Sequence, residues 1–381
     1  MLFWPWLACA NPDKLNSEEG DTALEDTVSV DDSAASSSLG QRYLLTTSIL
    51  IQRSGHIRII DRETQDELWF LENTDAPAWP EARLDPDGQS IWHNVVDAVS
   101  NNPIESKLVE RNRQGDILQQ IQVDAAHHSF DFVDDNTLVT LVTDIRQHPE
   151  YGAVAGDALT LVTHDGQTSA LLSTFDVLEA QPLTEMWYGG NLENAIDWTH
   201  SNAVGWYPEH DRYLMCIPGI NAVWLIDASG NLQTVILGAG MSAEPYLNGP
   251  LAAEQSFEIF EGGLFSLPHG ATLDAQGRLW LLSNGLGNQT PSFAEGYDWS
   301  SGSLERIAYL GTDPADAHSP GLGGVTYIEA DDSLVINWGI WGVVEERHSD
   351  GTALWREEAP LGEVYGFSTT APRIDDFLGA D

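Results

Sequence analysis

The sequence predicts an all-β chain folded as a six-bladed β-propeller, and three observations carry that expectation. From about residue 40 onward, short apolar strands alternate with Asp-Gly, Ser-Gly and Asn-containing turns. Patterns with the 3.6-residue period of a helix are scarce. A strand–turn–strand unit also recurs along the chain, as in folds that set small repeated sheets around a central channel.

Taken in order, strands are expected at 48–52, 57–61, 67–71, 138–142, 159–163, 213–217, 222–227, 278–282, 334–338 and 352–356. Turn signals such as Asp87-Gly88, Gln114-Gly115, Asp165-Gly166, Ser229-Gly230, Gln276-Gly277 and Asp350-Gly351 separate them. Three segments, starting at His128, His200 and His269, align on one another. Each opens on a histidine, enters a short strand, turns at acidic or glycine residues and returns in a second apolar strand. The histidines lie roughly seventy residues apart. Segments 81–92 and 324–336 repeat the form without the histidine. With the opening segment 42–75, blades are expected to start near 42, 81, 128, 200, 269 and 324. Residues 176–199 and 238–268 are too long for tight turns and are expected to fold over one face. The alternative architecture is a multi-sheet sandwich, which the histidine-phased repeat fits poorly.

The chain has 381 residues, 42% of them hydrophobic and 14 of them Trp, which is ample material for a core. Against 16 Lys and Arg stand 59 Asp and Glu, a formal charge of −43. Such a surface repels phosphate backbones and anionic lipid heads, so binding to nucleic acid is not expected. An anionic substrate would need a pocket that reverses the field locally.

Only Cys9 and Cys216 are present, too few for a disulfide framework and without zinc-site spacing. The start is apolar and ends in Leu7-Ala8-Cys9, which resembles a bacterial lipobox with Cys9 as the lipidated residue. Residues 11–39 are acidic and Ser-rich, a composition that cannot bury enough apolar surface to order itself. The expected organisation is an export signal and disordered tether over 1–40, followed by a propeller over 41–381. An exported protein, periplasmic or at the cell surface, is expected, either as a lipoprotein anchored through Cys9 or as a soluble secreted protein.

In a propeller the first strand of each blade lines the channel, so residues repeated at its start meet near the axis. The geometry turns three distant histidines into one cluster, flanked by His127 and Asn202. These stretches carry a resemblance. Ala126-His127-His128, Asp197-Trp198-Thr199-His200-Ser201-Asn202, and Pro268-His269 closing on Ser283-Asn284-Gly285 are similar to motifs of the bacterial aryl-sulfate sulfotransferase family. The resemblance spans about residues 42–374, and its Asp-Trp-Thr-His-x-Asn element is the most specific part.

The resemblance implies a six-bladed propeller that moves a sulfuryl group from an aryl sulfate to a phenol through a sulfohistidine. His269 matches the nucleophile, His200 and His128 match the other catalytic positions, and Asn202, His127 and Thr199 match substrate-binding positions. No metal, nucleotide or other cofactor is expected, and no phosphate-cradling Gly-rich loop is present. A neutral imidazole is a competent nucleophile, and sulfate-like groups transfer through a loose, charge-spread transition state. Two departures stand out. Pro218 occupies the place where many members carry a sulfate-binding Arg, and Tyr365-Gly366 replaces a Tyr-Arg, with Arg373 a few residues on. Two other readings remain at this level: a non-catalytic cell-surface binding platform, and a metal held by His128, His200 and His269.

Overall fold

The computed structural model describes residues 42–50, 54–73, 81–95, 106–180, 191–192, 195–285, 291–312, 317–359, 363–370 and 373–379. The expected tether over 1–40, with Cys9, lies outside them. Six antiparallel blades follow one another and close into a ring, so the fold is the expected β-propeller. Blade 2 holds Ala82–Leu84, Ile91–Val95, Lys107–Arg111 and Ile117–Gln122. Blade 3 holds Ala126–Asp134, Thr137–His148, Gly152–Thr163 and Thr168–Ser173. Blade 4 is Ala203–Tyr207, Arg212–Ile217, Ala222–Asp227 and Leu232–Leu237. Blade 5 is Pro268–Leu273, Leu279–Ser283, Phe293–Asp298 and Glu305–Gly311, and blade 6 is Gly324–Ile328, Ser333–Asn337, Val343–His348 and Ala353–Glu358.

Blade 1 departs from the expectation that 42–75 forms a blade by itself. Its outer three strands are Tyr43–Leu50, Ser54–Asp61 and Glu67–Asn73, but its inner strand is Glu363–Thr370 from the far end of the chain. Leu44 faces Thr370 and Leu50 faces Glu363 across that seam. Asn337 clamps it, donating from Nδ2 to the Gly366 carbonyl at 2.9 Å and to Ser368 Oγ at 3.1 Å, while the Gly339 amide donates to its Oδ1 at 2.8 Å. A propeller closed this way couples the two chain ends to the integrity of the ring.

The core is a set of apolar layers between blades. In Arg212–Ile217, Tyr213, Met215 and Ile217 pack toward blade 3, while Leu214 and Cys216 pack toward blade 5. A strand buried on both faces needs an unbroken apolar run, which is what the sequence shows. Cys216 is therefore a small core residue, fully buried, and burial pushes its thiol pKa up. Trp224, Trp280 and Trp338 are buried plugs in these layers. Several carboxylates turn inward to satisfy indole N–H groups: Trp92 donates to Asp85 at 3.0 Å, Trp280 to Asp274 at 2.9 Å and Trp338 to Glu345 at 2.6 Å. Part of the acidity is thus built into the blades.

The two long inter-blade segments do not simply fold over a face. Ala195–Asp197 pairs in parallel with Gly152–Thr163 of blade 3, and Glu258–Phe260 pairs in parallel with the outer strand of blade 4. Each extends a sheet, satisfying edge groups that would otherwise face water. The blade 3 hairpin is also longer than expected, with twelve residues in each of its middle strands. The strands expected at 138–142 and 159–163 are each part of these longer ones, and the ladder runs on through Asp144, Gly152 and Gly156.

Candidate active site

His127, His128, His200 and His269 converge at the starts of the inner strands of blades 3, 4 and 5. The rings of His127 and His128 are 5.0 Å apart and near perpendicular, and those of His128 and His200 are 4.9 Å apart at 73°. His127 Nδ1 and His128 Nδ1 share a hydrogen bond at 2.8 Å. A carboxylate stands at each end of this row. His127 Nε2 bonds Asp157 Oδ1 at 3.0 Å, and His200 Nδ1 bonds Asp197 Oδ2 at 2.7 Å. His269 is 5% exposed, and its Nδ1 lies 3.4 Å from the Leu267 carbonyl. A carbonyl only accepts, so the His269 proton sits on Nδ1 and Nε2 keeps its lone pair.

Backbone strain marks the same spots. His128 and His200 both adopt left-handed conformations, with φ of 56° and 49°, which cost a non-glycine residue about 1–2 kcal/mol. They share this strained position, as their alignment in the sequence suggested. His269 does not. In blade 3 positive φ falls at Ala125 and His128; in blade 5 it falls at Leu267 and Gly270. His127 pairs with Leu141 and His269 pairs with Leu282, each just before a shift in register. His269 therefore occupies the place of His127, one residue earlier than its sequence alignment with His128. Gly270 takes the strained place, and there a Cβ would lie 2.3 Å from the Gly323 carbonyl oxygen and 2.4 Å from Gly324 Cα. Gly270→Ala is expected to lower unfolding stability by about 2–4 kcal/mol, read from urea denaturation.

The electrostatics separate the rings by role. Burial pushes His200 toward the neutral form, but the Asp197 carboxylate outweighs it and the pKa is raised above 6.5. His200 thus takes a proton more readily than a free imidazole, with its side chain 30% exposed. Burial and the neighbouring His200, His127 and His269 hold the His128 pKa well below 6.5. Burial, then His200, brings His269 down to about 3, against small opposing effects of Leu267 and Asn284. The result is one ring biased toward the imidazolium beside two biased toward the neutral imidazole.

The expected binding residues sit differently. Thr199 is buried and donates from Oγ1 to Asp157 Oδ2 at 2.6 Å. Asn202 is fully buried and donates from Nδ2 to the Pro268 carbonyl at 2.8 Å, so it fixes the strand that carries His269. Asp157 went unnoticed in the sequence, although an acidic residue within the apolar run Ala153–Val162 is itself a signal. Among the described residues no three His, Cys, Asp or Glu side chains form a group that could hold a metal ion.

Comparison with known proteins bears on this arrangement. The model of the Arylsulfotransferase (ASST) family matches residues 59–249, half of the chain. The chain belongs to the arylsulfotransferase family. The matched region includes His127, His128, Thr199, His200 and Asn202 and ends before His269. Over 117 residues the chain is 32% identical to the Multiphosphoryl transfer protein of Escherichia coli, covering 31% of this chain and 30% of that protein. The protein of the same name from Salmonella typhimurium is 30% identical over 117 residues, with the same coverage. The chain thus matches less than a third of the length of these curated relatives. Among solved structures, a protein of unknown function from Bacteroides caccae is similar in fold, with a TM-score of 0.50 and 11% identity over 86% of this chain and 98% of its own.

As a member of the arylsulfotransferase family, the chain carries Pro218 where its motifs lead one to expect a guanidinium. Pro218 is buried in the turn Pro218–Ile220, whose Gly219 amide donates to the Thr199 carbonyl at 2.9 Å. Arg373 does not substitute: it donates to the Pro86 carbonyl at 2.9 Å and to Asp376 at 3.0 Å, on the outside of the ring. Tyr365 is buried against blade 6 and accepts a hydrogen bond from Arg58 at 3.0 Å.

Proposed function

We propose that the chain transfers a sulfuryl group from an aryl sulfate to a phenol by way of a sulfohistidine at His269. The observation that carries this reading is a neutral imidazole, its Nδ1 committed to the Leu267 carbonyl, beside a cationic His200. In the first half-reaction the Nε2 lone pair attacks sulfur, the S–O bond to the aryl group breaks, and the phenolate leaves with its electron pair. In the second, the acceptor phenol gives its proton to His128, its oxygen attacks sulfur, and the N–S electron pair returns to His269. The proton on His128 passes to the next leaving phenolate or to solvent, so each cycle balances. His200 offers positive charge to the sulfuryl oxygens, where charge is spread in the transition state.

The test is incubation with a nitrophenyl sulfate, alone and with a phenol. The donor alone should leave one sulfuryl group on the protein by intact mass, and the phenol should discharge it with nitrophenolate release. Nitrophenyl phosphate serves as the comparison donor, separating sulfuryl from phosphoryl transfer. Absence of adduct and turnover across several aryl sulfates would favour the binding-platform reading. The proposal places the enzyme outside the cytoplasm on a lipid at Cys9. Palmitate labelling of expressing bacteria is then expected to mark the wild type and not Cys9→Ser.

A further inference from the structure

We propose that Asp157 is a positioning residue that sets the direction of the hydrogen-bonded row Asp157–His127–His128, and so makes His128 Nε2 a proton acceptor. The value of that acceptor to catalysis rests on the sulfuryl-transfer reading; the direction of the row does not. Asp157 is 4% exposed, in the third strand of blade 3. Its Oδ1 accepts from His127 Nε2 at 3.0 Å, and its Oδ2 accepts from Thr199 Oγ1 at 2.6 Å and from the Ser201 amide at 2.6 Å. Burial alone would raise its pKa, but these donors outweigh it and keep it ionised.

An ionised carboxylate only accepts, so His127 Nε2 must carry a proton. A neutral His127 with its one proton on Nε2 has a bare Nδ1. Two nitrogens 2.8 Å apart share one proton, which therefore belongs to His128 Nδ1. His128, with one proton, then has a bare Nε2. One carboxylate thereby dictates two tautomers in succession, the way an orienting Asp fixes a catalytic imidazole in other enzymes.

Asp157→Asn tests the chain because its orientation is forced. The Ser201 amide and the Thr199 hydroxyl both donate, so the amide oxygen of Asn must face them and its NH2 must face His127. His127 Nε2 then accepts, its proton moves to Nδ1, and His128 is driven to carry its proton on Nε2. The acceptor is lost. Nitrogen NMR of 15N-histidine protein is expected to show a pyridine-type His128 Nε2 in the wild type and a pyrrole-type one in Asp157→Asn. With a nitrophenyl sulfate and a phenol, kcat should fall about 100-fold with KM changed by less than about twofold. A wild-type His128 protonated on Nε2, or an Asp157→Asn protein that loses activity with His128 unflipped, would overturn the proposal. If the variant does not fold, the wild-type spectrum alone decides. The expected tautomers in a protein that transfers no sulfuryl group would uphold the role of Asp157 and overturn the function.

Discussion

His269→Ala is expected to abolish both the sulfuryl adduct and turnover, a loss on the order of 10⁴–10⁶ in kcat, as nucleophile removal does in other covalent enzymes. The size follows from what His269 supplies. Its pKa of about 3 leaves the ring neutral across the physiological range, and the Leu267 carbonyl holds the proton on the nitrogen that does not attack. The fold should survive, because among the described residues the ring hydrogen-bonds only the Leu267 carbonyl at 3.4 Å and the Asn284 side chain, and the strand is held separately by Asn202 at Pro268. Thermal unfolding of the variant checks that point. An adduct that persists in His269→Ala would move the nucleophile to another ring and sink the assignment.

The same shifts give stability a pH dependence. His128 and His269 have folded pKa values below 6.5, so what they contribute is present above the unfolded pKa and is lost as pH falls toward the folded values. His200 runs the other way. Its raised pKa adds stability that is full below 6.5 and is lost as pH rises through the folded value. Two rings against one make mild acid the more damaging direction at this site.

Much of the fold was legible because its signals are local. Apolar runs such as Tyr213–Ile217 and turns such as Asp274–Gly277 specify hairpins within ten or twelve residues, and six repeats of them imply a ring. The closing strand was not legible, since Leu44 and Thr370 carry no shared pattern although they pair. The gathering of the histidines followed from blade phase. Their chemistry did not, because it depends on bonds between blades: Asp157 reaches from blade 3 to Thr199 and Ser201 ahead of blade 4. The one-residue offset of His269 escaped for a related reason. Matching letters aligns His269 with His128, whereas the bulge and the positive φ of Gly270 align it with His127.

His200→Ala is expected to cost about 10²–10³ in kcat/KM, the usual penalty for removing a donor aimed at developing negative charge. The loss should be large here because Pro218 offers no guanidinium and Arg373 is committed elsewhere, so the proposed attraction of a sulfate to a chain of charge −43 rests on His200. Asp197→Asn separates the charge of His200 from its presence. The groups facing His200 include Asp197 at 2.7 Å, the ring of His128 at 4.9 Å, and Asp157 and His269 more distantly. With the Asp197 charge gone, burial weighs more heavily and the His200 pKa falls. In the wild type, activity should hold to above pH 6.5 and decline as His200 loses its proton. In Asp197→Asn that decline should move to lower pH, so the variant is weak at neutral pH and recovers on acidification, while His269 stays neutral down to about 3. A pH–rate profile for each protein measures this. An Asp197→Asn profile parallel to the wild type would mean that the cation on His200 does not bind the sulfuryl oxygens, and that the anionic donor is drawn in by some other group.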